Sequence, residues 1–370
     1  LGAQAPAAPQ PPAAPRVPHV DTLHGDVRTD DWFWMKDRGD ARVLAYLHAE
    51  NAYTDAMTAH TAALRDTLYR EMLGRLKQTD LSVPYRDRGW WYYTRTEEGK
   101  SYPIVARKRG SLEAPEEIIL DQNRLAEGRR FLAVGNVQVS PDGMRMLYQV
   151  DTTAYQMWTL YVKDLATGRL LDSIPRVMGG AAWADDNRTI LYTTADSAKR
   201  VNAVWRHVVG TPRARDANVF REDSVLYNVG LYRTRSGKYL VLGAESFTTS
   251  EWRVIPTADP AARPRLIAPR RAGVEYDVEH VDGAFLIRTN ADGARNFKVV
   301  RAPEADPSPA NWRDWIPHRD SAFVEGVSGF RRFVVVTERT QGMRRLRVVD
   351  PATRAMHTIP MAEAAYAVNG

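Results

Sequence analysis

The chain contains no cysteine among its 370 residues. That excludes disulfides, thiolate metal ligands and a cysteine nucleophile, and it leaves the compartment open. No stretch of about 18 apolar residues occurs, so no membrane-spanning helix is expected. No block of five like charges occurs either, which removes the usual sign of a charged interaction tail. Histidine is sparse, at His19, His24, His48, His60, His207, His280, His318 and His357. None forms a His-Glu-x-x-His or other close ligand pair, so no metal site follows from spacing. His207 lies in an apolar run and reads as a packed or hydrogen-bonded strand residue. The acids Asp21, Asp26, Asp30 and Asp31 lack the spacing and terminal Glu of a calcium loop. There is no glycine-rich phosphate loop.

A serine-hydrolase elbow is also missing. That elbow sets its nucleophile in Gly-x-Ser-x-Gly, because small residues are needed at a strained strand-to-helix turn. The nearest approach is Gly326-Val327-Ser328-Gly329-Phe330, where Phe stands in place of the second Gly and Ser328 reads as structural. No catalytic, cofactor-binding or metal-binding residue is assigned from the sequence, and no cofactor is expected.

What the chain does contain is the composition of a water-soluble globular protein: 44% hydrophobic residues, 26% charged and a mean hydropathy of −0.44. The net charge is +6 and the pI near 9.4. The arginines are spread among acids along the chain, as on a solvated surface, so neither a nucleic-acid nor a membrane partner is indicated. Residues 1–20 are rich in Pro and Ala and read as a flexible arm. The opening Leu-Gly-Ala-Gln-Ala ends in the Ala-x-Ala pattern of a cleaved export signal. A periplasmic or secreted protein is therefore expected, with a cytoplasmic one as the alternative.

Residues 21–80 read as a helical N-terminal extension. Asp40 is a candidate N-cap, and Val43, Leu44, Leu47, Tyr53, Met57, Leu64, Leu68, Met72 and Leu76 recur at helical spacing. Two helices or one bent helix fit, with the stripe as a packing face. After Asp80 the period changes to two. Short β-rich runs are joined by turns that align on Gly89, Gly143, Asn187, Gly237, Gly283 and Gly329, at intervals of 54, 44, 50, 46 and 46 residues. In Val137–Asp151, Pro141-Asp142-Gly143 separates two alternating runs as a hairpin turn would. Third strands such as Met157–Asp164 and Glu251–Pro256 follow, then a weaker fourth. Four strands per unit at this period predicts a β-propeller over residues 81–370, with six four-stranded blades. A β-sandwich, or two, with coincidental turn spacing is the alternative.

The stretch HGDVRTDDWFWMKDRGDARVLAYLHAEN, residues 24–51, resembles the N-terminal segment of the prolyl oligopeptidase family. The carriers are His24-Gly25, Asp31-Trp32, Trp34, Asp37 and Glu50-Asn51. Residues 204–211, 248–254, 269–280 and 288–302 look most like its oligopeptidase B branch, and the resemblance runs from about residue 18 to the end. It implies an N-terminal extension, a seven-bladed propeller and a C-terminal α/β-hydrolase domain holding the Ser, Asp and His triad. No position here matches that triad. Counting on from Gly329, a seventh turn falls near position 375, beyond Gly370.

The resemblance therefore implies a non-catalytic, substrate-gating propeller portion of a serine peptidase, inactive by itself. Joined to its hydrolase domain, in cis or in trans, it would admit short peptides cut after Arg or Lys and exclude folded proteins. The alternatives are a free-standing propeller that binds a peptide or protein, or a gene fragment without function. An open ring would leave apolar faces at Trp90 and Tyr92 on the first blade and at Phe333, Val335, Leu346 and Val348 on the sixth. The chain alone would then associate.

Overall fold

A computed structural model describes residues 9–368. Part of the expected flexible arm, and the Ala-x-Ala pattern, therefore lie outside the described residues. Two compact units are present: residues up to Asp80 with Glu97–Gly99, and Leu81–Thr96 with the chain from Lys100 onward.

In the first unit, residues 9–18 form no helix or strand, and a hairpin pairs His19–Leu23 with Asp26–Asp30. Its turn residues, His24 and Gly25, both have positive φ (53° and 84°), the backbone that a two-residue turn between twisted strands requires. Helix α1 (Ala41–Thr58) starts at Asp40, whose carboxylate accepts the Arg42 N–H at 2.8 Å. A single 3₁₀ turn, Ala59–Thr61, separates it from α2 (Ala62–Gly74). Two helices are therefore formed. The apolar stripe does not behave as the packing face expected. Val43 is buried, but Leu44, Leu47, Met57, Leu64, Leu68, Met72 and Leu76 are all exposed.

In the second unit, six four-stranded antiparallel sheets follow one another, each with its strands in sequence order. They span 85–121, 133–177, 181–221, 228–266, 276–316 and 323–358 and are called blades 1 to 6. The mainly β class and the six-bladed propeller stand as expected. The turn after Val139 is built as its residues suggest: the Asp142 carboxylate takes the Met144 N–H at 2.9 Å, and Gly143 has φ 77°. One alignment point differs. Gly329 is the last residue of its strand, and the turn runs from Phe330 to Phe333.

Between consecutive blades lies a hydrophobic cluster. Leu147, Leu160, Trp183 and Tyr192 fill the gap between blades 2 and 3. Ala182, Leu191, Leu231 and Leu242 fill the next. Tyr239, Val278 and Phe285 join blades 4 and 5, and Val299, Trp315, Val334 and Val336 join 5 and 6. Such strands are buried on both faces, so they read as near-continuous apolar runs.

The expected apolar ends are corrected by this packing. Trp90 and Tyr92 face blade 2, in one cluster with Met146, Tyr148 and Val150. The opposite face of blade 1 carries Tyr93 and Arg95, both bonded to Glu116. On blade 6, Val335 and Leu346 are each only 8% exposed. There Glu325 pairs with Arg339 and Arg344, and the Ile359 N–H bonds the Leu346 carbonyl. Each of these faces carries a carboxylate held by arginine, Glu116 on blade 1 and Glu325 on blade 6. Phe333, 39% exposed, is the one residue of that expected set that is open.

Candidate functional site: the central channel

The first strands of blades 1, 2, 3, 4 and 6 surround a central cavity of about 690 Å³. A propeller places its innermost strands around its axis, so the ends of these strands set the chemistry of the channel mouth. Blade 1 contributes Arg86, Asp87 and Arg88, blade 4 contributes Tyr232, Arg233 and Arg235, and blade 6 contributes Gly329, Phe330 and Arg331. Arg233 is anchored: its Nη1 donates to the Trp183 carbonyl at 3.0 Å, and it pairs with Asp185 on blade 3.

Carboxylates gather around Tyr232. Glu245 is exposed, but partial desolvation of its carboxyl raises its pKa, and the charges of Asp277 and Glu275 raise it further. Burial also raises Asp277, against the pull of Arg288 at 2.7 Å, although its side chain keeps 42% of its surface open. Glu279 is raised by burial despite the His280 and Arg235 N–H groups that donate to it. These acids, with raised pKa values, lie outside the cavity lining, whose charged residues are arginines and Asp87.

The structure brings together two histidine clusters that the sequence does not reveal. His280 Nδ1 lies 2.9 Å from Ser236 Oγ, and its Nε2 lies 3.6 Å from Glu304 Oε2. The outline is that of a serine-hydrolase string, but the parts are not poised for it. The distance to Glu304 exceeds a hydrogen bond, and His280 Nε2 is buried without a partner. Glu304 is instead held by the Tyr239 hydroxyl at 2.6 Å. The imidazole is wedged between the Tyr239 and Phe285 rings, and burial lowers its pKa. Ser236 Oγ is already engaged by the Thr234 hydroxyl and the Lys238 N–H. A triad needs the acid to orient the base and the base to hold the nucleophile; here the contacts fasten the turn of blade 4 to blade 5. Ser236 and His280 stand 44 residues apart, one blade repeat, and that offset is the signal that could have paired them.

His207 is buried between two carboxylates, with Nδ1 at 2.7 Å from Asp216 and Nε2 at 2.9 Å from Asp172. It joins the outer strand of blade 2 to blade 3. Burial alone would raise Asp172, but the Gly210 N–H and His207 hold it below the usual carboxylate range. Ser328 lies in the first strand of blade 6, opposite Val335. Among the described residues no group of three or more His, Asp or Glu side chains is placed to hold a metal ion.

Residues 12–369 match the prolyl oligopeptidase N-terminal β-propeller domain. The chain is 41% identical over 356 residues to a dipeptidyl aminopeptidase BI from Pseudoxanthomonas mexicana, covering 90% of this chain and 49% of that protein. It is 34% identical over 340 residues to protease 2 from Moraxella lacunata, covering 90% and 49%. Among solved structures, oligopeptidase B from Leishmania major superposes with a TM-score of 0.89 at 28% identity, over 97% of this chain and 54% of that one. The chain thus spans about half the length of the curated relatives it matches.

Proposed function

This chain belongs to the prolyl oligopeptidase family as its N-terminal propeller part, and from that premise we propose that it gates access to a hydrolase domain carried elsewhere. The gated reaction is hydrolysis of short peptides after Arg or Lys. The observation that carries the reading is the central cavity, framed by the first strands of five blades, in a chain that spans 49% of a peptidase relative. A channel of this size passes an extended peptide and stops a folded domain, and enclosing a reaction in this way protects it from water and wrong substrates. The exposed stripe of Leu64, Leu68 and Met72 on α2 is apolar surface available to that hydrolase domain.

The test is chromogenic hydrolysis of an Arg-ending peptide by residues 1–370 alone and after fusion to the C-terminal half of the Pseudoxanthomonas relative. The expected result is no release by the chain alone and release by the fusion. Hydrolysis by the chain alone that a serine-directed reagent stops would overturn the proposal, because a nucleophile would then lie within it.

A further inference from the structure

The central cavity collects more arginines than carboxylates. Arg86, Arg88, Arg233, Arg235 and Arg331 line the cavity, with Asp87 the one carboxylate among its lining residues. Elsewhere the protein pairs its arginines freely, as at Arg107–Glu117, Arg270–Glu222 and Arg347–Glu338. Arg233 alone of the five has an ion pair, with Asp185. Among the described residues Arg88, Arg235 and Arg331 pair with no carboxylate, and Arg235 lies over the Phe330 ring at 4.7 Å.

These groups converge from different blades. A Cβ built on Gly237 would stand 3.2 Å from Arg233 Nη2 and 3.3 Å from Arg88 Nη2. Two guanidinium groups, one from blade 4 and one from blade 1, therefore meet over a single glycine. Gly237 has φ 75° and leaves them that space. Arg88 itself has a positive φ of 45° in the turn that leads out of the first strand of blade 1. Arg233 Nε is buried without a hydrogen-bond partner. Burial and then the Arg88 charge pull the Arg233 pKa below the ordinary arginine value. Like charges held this close in a recess repel, and an anion between them reverses the sign of that interaction.

We propose that the arginine collar formed by Arg88, Arg233, Arg235 and Arg331 is a binding site for a multivalent anion of carboxylate or phosphate chemistry. Planar guanidinium forks grip both groups through paired N–H donors. At least two negative charges are called for, because several unpaired cations face one cavity. The anion can come from a free small molecule or from consecutive acidic residues of a peptide. The site does not depend on the gating function proposed above.

The test is calorimetric titration of residues 1–370 at low salt, about one-tenth of physiological ionic strength. The probes are pyrophosphate, citrate and acetyl-tetraglutamate amide, with tetralysine as the control. The expected result is saturable binding of at least one anionic probe and none of tetralysine. Tighter binding of the two small anions assigns a free anion, and tighter binding of tetraglutamate assigns a peptide. R88Q, and separately R235Q/R331Q, should each weaken binding at least about tenfold. R263Q, an exposed arginine outside the cavity, should leave it unchanged. Should a variant fail to fold, phenylglyoxal labelling of the unaltered chain gives the same answer, with pyrophosphate or tetraglutamate protecting Arg88, Arg235 and Arg331 but not Arg263. Absence of binding by all three anions, variants that bind like the parent chain, or equal labelling of all four arginines with and without anion would overturn the proposal.

Discussion

His207 shows how much one side chain can hold in this fold. It is 1% exposed and lies between Asp172 and Asp216, the latter 2% exposed at its side chain. Removing it leaves Asp216 buried with the Tyr192 hydroxyl at 2.7 Å as its remaining side-chain partner. His207→Ala should therefore cost about 3–5 kcal/mol at neutral pH, measured by urea unfolding. A cost under about 1 kcal/mol would show that water replaces the imidazole without penalty. Glu245 makes the opposite case. Its side chain keeps contact with solvent, yet partial desolvation of the carboxyl and then the charges of Asp277 and Glu275 raise its pKa, so its ionised form works modestly against the fold. The stability associated with its protonated form is complete below the ordinary glutamate pKa, about 4.3, and is lost as pH rises through the higher folded value. Glu245→Gln should thus raise the melting temperature at pH 7.5 and make little difference at pH 4. An equal effect at both pH values would show that its charge is not the cause.

At the scale of elements, the join between blades is the sensitive point. A Cβ on Gly180 would collide with the carbonyl oxygen of Leu231, across the boundary from blade 3 to blade 4. Because backbone cannot swing aside as a flexible side chain does, Gly180→Ala should destabilise by about 1–3 kcal/mol, read as a lower denaturation midpoint. An unchanged midpoint would mean that the two blades slide freely. The blades themselves were legible in the sequence, since turn residues and period-two runs are local signals that recur in every repeat. Which way each strand faces was not. Trp90 and Tyr92 sit in a run, Trp90-Trp91-Tyr92-Tyr93, that is apolar on both faces, so its alternation carries no parity. The helical period of α1 and α2 was legible, but not what covers their apolar stripe. The arginine collar was hidden by distance, its members lying on blades 1, 4 and 6. Arg88 precedes Gly89 by one residue, Arg235 precedes Gly237 by two, and Arg331 follows Gly329 by two. They share no register, and only their nearness to the end of a first strand was an available signal.

At the scale of the whole molecule, the family match over residues 12–369 and the chain's share of its relatives' length mark it as the propeller part of a longer peptidase. Arginines from blades 1, 4 and 6 line the cavity, and the Ser236–His280–Glu304 contacts join blade 4 to blade 5. On the end blades Glu116 and Glu325 hold ion pairs beside the buried Tyr93, Val335 and Leu346. The measurement that tests the gating claim most directly is the dependence of kcat/KM on substrate length for the fusion to the relative's hydrolase half. A set of Arg-containing peptides of increasing length, ending in a folded protein with an exposed Arg loop, supplies the series. The account predicts rapid cleavage of short peptides, a steep fall as length approaches that of a folded domain, and no cleavage of the intact protein. Equal kcat/KM across the series, folded protein included, would contradict it.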